Sequence, residues 1–213
     1  MKKSVVFALC VILAAMALLS GCSSPLSRSI DKQRKLYQAD ELDLNAVFSE
    51  TDGYHFPGIT WGMTADEVRK QTGAPLDTVL GYTKEGDGIY SGNGLLVKLL
   101  GMTDDQTSVS ATGEGLVYNI SVNFTNSDDT EREMSLSQLY ERYKALLQEK
   151  FGEFEETEDA HAVSDVSAVT QTSVWTYTDS TGRTTELQLA VARVSGAKEP
   201  SVLSLGFVWI LKR

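Results

Sequence analysis

Met63-Thr64-Ala65-Asp66-Glu67-Val68 and Met134-Ser135-Leu136-Ser137-Gln138-Leu139 are two spellings of one helix start. In each, Thr or Ser stands where an N-cap is wanted and Glu or Gln follows three residues on. That is a capping box, in which two side chains satisfy backbone N–H groups that a helix start leaves open. A Met precedes each cap and an aliphatic, Val68 or Leu139, follows at the fourth helical position, completing a hydrophobic staple. The starts lie 134 − 63 = 71 residues apart. Each helix runs towards a glycine, Gly73 or Gly152, suited to a left-handed C-cap, and Pro75 bars continuation of the first.

The second helix is the longer. Leu136, Leu139, Tyr140, Tyr143, Leu146, Leu147 and Phe151 recur at spacings of three and four, one apolar stripe. The first has barely two turns and needs packing to hold it. After each helix the hydrophobic period changes from 3.6 to 2. Strands are expected at 79–84, 89–91, 95–100 and 116–124, then at 166–178, 184–194 and 202–211. Leu203, Leu205, Phe207, Trp209 and Leu211 line one face, and Leu187, Leu189 and Val191 meet them across strands. Gly86-Asp87-Gly88, Asp179-Ser180-Thr181-Gly182 and the stretch 196–200 supply turns. The expected fold is α+β: two helix-plus-antiparallel-meander repeats, 54–133 and 134–213, with helices packed on one face of an antiparallel sheet. One shared sheet or two separate ones both satisfy the pattern.

Upstream, Lys2 and Lys3 precede an uncharged apolar run from 5 to 19 that ends in Leu19-Ser20-Gly21-Cys22. At about 15 residues the run is shorter than the roughly 20 a membrane-spanning helix needs. Leu19, Ser20, Gly21 and Cys22 resemble a bacterial lipobox, whose cysteine is lipidated after the leader is cut. The expectation is a signal peptide over 1–21, a lipid on Cys22 and a tether over 22–53. The lipids would hold the protein to the cell membrane or outer membrane on its extracytoplasmic side. Ser and Pro followed by mixed charge read as linker, and part of 30–48 is a candidate short helix.

Loss of 1–21 would remove two lysines from 19 basic side chains and none from 29 acidic ones, giving 17 − 29 = −12. That sign opposes nucleic acid and anionic lipid head groups. Cys10 leaves with the leader and Cys22 is consumed, so neither a disulfide nor a thiolate site is expected.

Gly62-Met63-Thr64, Glu67-Val68 and Gly73-Ala74-Pro75 resemble the helix-opening signature of BamE/SmpA-type lipoproteins. The tandem helix-plus-meander plan is similar to that of the β-lactamase inhibitor proteins. Both resemblances imply a non-enzymatic protein binder. The second copy departs from the signature, since Met134 follows Glu133 and no Gly-x-Pro follows Gly152.

No constellation for catalysis stands out. His55 and His161 are far apart, and neither lies in an acid cluster of metal-ligand spacing. The acidic runs at 104–105, 128–131 and 155–159 read as solvated loops, and 126–131 has calcium-loop alternation without its glycine. A nucleophile elbow, a Walker loop and an HExxH motif are lacking, so no cofactor or metal is expected. Tyr54, Phe56 and Trp61 cluster before the first helix as core closure. Tyr54 and Trp61, with Trp175, are also candidates for partner binding. Thr170, Thr172, Val174, Thr176 and Thr178 with Gln188 make a small polar sheet face, either solvated or a binding surface. The functional expectation is a membrane-anchored protein-binding or scaffold module with an envelope protein as partner. The alternative is a binder of small ligands or cell-wall glycans around Trp61 or Trp175.

Overall fold

Both helix starts close as written. The computed structural model describes residues 40–72, 78–82, 88–93, 97–125, 134–163 and 166–211. Helix α1 spans Ala65–Thr72 and α2 spans Leu136–Phe151. Thr64 N–H donates to Glu67 Oε2 at 2.8 Å while Glu67 N–H returns to Thr64 Oγ1 at 3.3 Å. Ser135 and Gln138 repeat the exchange at 2.9 and 3.2 Å. The Thr64 backbone N–H, and then its hydroxyl, hold the Glu67 carboxyl below its usual range. Gly152 takes a positive φ of 81°, but its ψ of −147° lies outside the left-handed helical well expected of it.

Thirteen strands follow one another in the described chain. They are β1 (Asp40–Glu41), β2 (Phe48–Ser49), β3 (Gly53–Tyr54), β4 (Thr78–Tyr82), β5 (Gly88–Asn93), β6 (Val97–Leu99) and β7 (Met102–Thr103). Then come β8 (Gln106–Ala111), β9 (Val117–Thr125), β10 (Glu155–Val163), β11 (Val166–Thr178), β12 (Thr184–Val194) and β13 (Val202–Ile210). Eight of them form one antiparallel sheet in the order β10-β11-β12-β13-β9-β8-β5-β4. The join is β9 against β13, with Phe124, Val122 and Ile120 opposite Leu203, Leu205 and Phe207. One continuous sheet therefore carries both stretches that follow the helices. β1, β6 and β7 make a small separate sheet, and β2 with β3 a two-stranded ribbon.

The core lies on one face of the large sheet. Leu187, Leu189, Leu203, Leu205, Phe207, Ile120, Val122 and Phe124 are buried there with Leu136, Leu139, Tyr140, Tyr143 and Leu147 of α2. Leu146, expected in the same stripe, is 37% exposed. At about 100° per residue it stands about 80° from Leu136 around the helix, beyond what the sheet covers.

Three further expectations change. Residues 40–53, assigned to the tether, enter the core: Leu42 and Val47 are buried, and the stretch makes short strands rather than a helix. The run at 155–159, read as a solvated loop, is part of edge strand β10; four acids in this stretch keep that long edge soluble. Asp104 is buried, accepting from Val97 N–H at 3.2 Å and the Thr107 hydroxyl at 3.1 Å, because it closes the loop between β7 and β8. The turn at 179–182 forms as expected. Asp179 accepts from Thr181 N–H at 2.8 Å and Arg183 N–H at 3.0 Å, and these bonds with the Thr181 hydroxyl bring its carboxyl down to about 2.

Candidate functional site

Tyr54, Trp61 and Trp175 belong to the core, at 5%, 8% and 1% exposure. Trp61 Nε1–H donates to the Tyr54 carbonyl at 3.0 Å, which ties the chain before α1 to β3. Trp175 donates to the Gly152 carbonyl at 3.1 Å and lies 5.0 Å from the Phe154 ring, which locks the end of α2 onto β11. Tyr54 packs edge-on against Phe151, centroids 5.3 Å apart. The three rings thus join helix ends to strands and show a partner little of their surface. Leu19, Ser20, Gly21 and Cys22 lie outside the described residues, as does the run at 128–131.

Burial pushes the Tyr54 hydroxyl up to about 12 and also raises those of Tyr143 and Tyr140. In the unfolded chain such groups ionise near 10. The folded state holds the proton more tightly, so the stabilisation is whole below about pH 10 and is lost as pH rises towards 12. The urea midpoint is expected to fall over that interval, with Tyr54 contributing roughly 2 kcal/mol. Tyr54→Phe should flatten that share of the profile; an unchanged slope would refute the assignment.

The histidines do not converge. His55 holds Nδ1 2.9 Å from the Gly53 carbonyl, and His161 belongs to β10. Among the described residues no group of three or more His, Cys, Asp or Glu is placed to hold a metal ion.

The sheet's other face is of a different kind. Register places Thr170, Thr172, Val174, Thr176 and Thr178 of β11 on it, with Glu186, Gln188, Ala190 and Ala192 of β12. Ser204 and Gly206 of β13 continue the row to Asn119, Ser121 and Asn123 of β9, then Ser108 and Gln106 of β8 and Ser91 of β5. The polar face expected on β11 is therefore one end of a surface running across the sheet. No Phe, Tyr or Trp occurs in these positions, and their only charge is negative.

Several of its bonds run sideways within the face. Gln106 Nε2 donates to Ser91 Oγ at 2.8 Å, Ser121 Oγ to Asn119 Oδ1 at 3.3 Å, and Ser204 Oγ to Asn123 Oδ1. Four polar atoms are buried without a partner: Gln106 Oε1, Asn123 Nδ2, Thr170 Oγ1 and Gln188 Oε1. Most of this face is buried: Ser204 is 0% exposed, Asn123 and Ser121 1% and Asn119 3%, and Ala190, Ala192 and Val202 form a small apolar cluster on it with Val208 packed alongside. Sequence reading found only the β11 portion, where Thr alternates visibly. The β9 portion was masked by its own alternation, whose apolar half points to the core.

No family model, curated protein or solved structure matches this chain. The resemblances noted above rest on the residues quoted for them. No helix among the described residues is long and apolar enough to cross a membrane.

Proposed function

We propose that this chain is a lipid-anchored extracytoplasmic protein, held through Cys22, that binds a protein partner on the polar face of its sheet and performs no catalysis. The observation that supports the reading is the open end of that face, where Thr176 and Thr178 of β11 are exposed beside Glu155 of β10; the inner rows, with Asn123, Ser204 and Gln188 at 7% exposure or less, belong to the protein's own packing.

Sugar binding stacks on aromatic rings, and this face has none. The alternative, a small-ligand or glycan binder around Trp61 or Trp175, loses its ring faces to the core. Glu155 and Asp159, the acids of β10 that register places on this face, favour a partner with basic groups opposite them.

The order of the chain supports two helix-plus-meander repeats, 54–133 and 134–213. Helix α1 is followed by β4, β5, β8 and β9 with the β6–β7 hairpin inserted, and α2 by β10 to β13. The last strand of each set meets the other at the sheet's centre.

Crosslinking in the native envelope, with Cys22→Ala as the unanchored control, tests this reading. One dominant protein is expected, lost in the control and weakened about ten-fold or more by Thr172→Arg with Thr176→Arg on the polar face. No partner in either sample, or a partner indifferent to those substitutions, would overturn it.

A further inference from the structure

On the helix-covered face, apart from the surface just described, a cleft with room for about 140 Å³ opens between the start of α2 and the outer ends of β10, β11 and β12. Tyr140, Val169, Val191 and Pro200 line it with apolar surface. The Tyr140 hydroxyl is held 2.9 Å from Ser173 Oγ. Gln171 is fixed by a 2.7 Å bond from its Nε2 to Glu156 Oε1, which leaves its carbonyl oxygen for another donor. The cleft is firm and about the bulk of one amino acid.

Its charges stand on opposite walls. Arg193 on β12 and Lys198 in the β12–β13 loop form one, and Glu158 on β10 with Glu141 on α2 form the other. Glu141 lies 3.8 Å from Lys144; no ion pair among the described residues engages Arg193, Lys198 or Glu158. Register explains why they do not pair with each other. Arg193 faces Val169 on β11, and Glu158 faces Gln171 on that strand's other side. Two strand spacings, about 10 Å, separate the walls. All four charged side chains reach solvent, so the cleft selects a ligand by where its charges stand rather than by a low local dielectric.

We infer that this cleft binds a small zwitterion of the amino-acid or dipeptide class. Arg193 and Lys198 take its carboxylate, and Glu158 with Glu141 its ammonium group. The Gln171 carbonyl accepts from the ammonium or from a peptide N–H. A simple anion would meet two carboxylates and a simple cation two basic groups, so only a ligand carrying both charges satisfies both walls.

Titration of the full chain in detergent with alanine and dialanine, followed by calorimetry and amide NMR shifts, tests the inference. Binding with a Kd of roughly 0.1–1 mM is expected, with shifts at Val169, Val191 and Arg193. Acetate and methylamine alone should bind at least about ten-fold more weakly. Arg193→Gln and Lys198→Gln should each weaken dialanine about ten-fold while leaving the thermal midpoint in place, since both side chains are exposed. Absence of binding at about 10 mM, affinity unchanged in both variants, or acetate binding as well as alanine would overturn it. The polar-face substitutions should leave this titration unaltered, so the two proposals fail separately.

Discussion

Trp175→Ala is expected to remove about 3–5 kcal/mol of folding stability, out of the roughly 5–15 kcal/mol that a domain possesses. The indole is 1% exposed and stands towards the C-terminal end of β11, opposite Leu187 of β12. Its loss opens a cavity that the sheet is too constrained to collapse. It also strands the Gly152 carbonyl, which receives the indole N–H at 3.1 Å just past the end of α2. Trp175→Phe separates the two effects. It keeps most of the volume and the contact with Phe154, and should cost about 1–2 kcal/mol through the unpaired carbonyl and the smaller ring. Denaturant unfolding of both variants measures this. A loss below about 1 kcal/mol for the alanine variant would mean that the ring is not the pin between helix and sheet.

The same residue shows what a sequence carries and what it hides. Local signals with short reach were legible. Ser135 with Gln138 announced α2, and Asp179 with Gly182 announced the β11–β12 hairpin, because a cap or a tight turn is settled within four or five residues. Alternation in 184–194 and 202–211 gave both strands and the face each shows the core. Less visible were elements whose cause is distant. Gln106-Thr-Ser-Val-Ser-Ala becomes β8 because β5 and β9 flank it, and its mostly small polar side chains offer little hydrophobic pattern. The acidic start of β10 reads as loop by composition and is strand because β11 pairs with it along nine residues. Leu42 and Val47 looked too sparse to form a core, and they need not form one; they join a core built elsewhere. For the candidate site, the Thr row of β11 was readable. The amides of β9 gain their meaning only when β13 places Ser204 beside Asn123, 81 residues away.

Gly53→Ala is the second large effect, expected at about 2–4 kcal/mol, and it comes from an atom that is not there. Gly53 has φ +67°, which costs an L-residue about 1–2 kcal/mol. A Cβ would stand 2.1 Å from Thr185 Oγ1 and 3.1 Å from Tyr177 Cδ1. Thr185 has little freedom to withdraw. It is 1% exposed, and its hydroxyl oxygen accepts the Tyr54 N–H at 2.9 Å. Tyr177 is likewise committed, its hydroxyl donating to the Glu50 carbonyl at 3.1 Å, while Arg183 donates to the carbonyl of Thr51. The stretch 50–54 is thus clamped onto the β11–β12 hairpin by three residues, Tyr177, Arg183 and Thr185, and an added methyl must lift it off. Thr185→Ala clears the space but removes the acceptor for Tyr54 N–H. The double variant should therefore lose about 1–2 kcal/mol less than the sum of the single ones. Because Trp61 donates to the Tyr54 carbonyl, the change should also shift tryptophan emission in the folded state. Additive losses, or a Gly53→Ala protein within about 0.5 kcal/mol of the parent, would show that the loop yields freely. A clamped loop instead makes residues 50–54 part of the same folded unit as the β11–β12 hairpin.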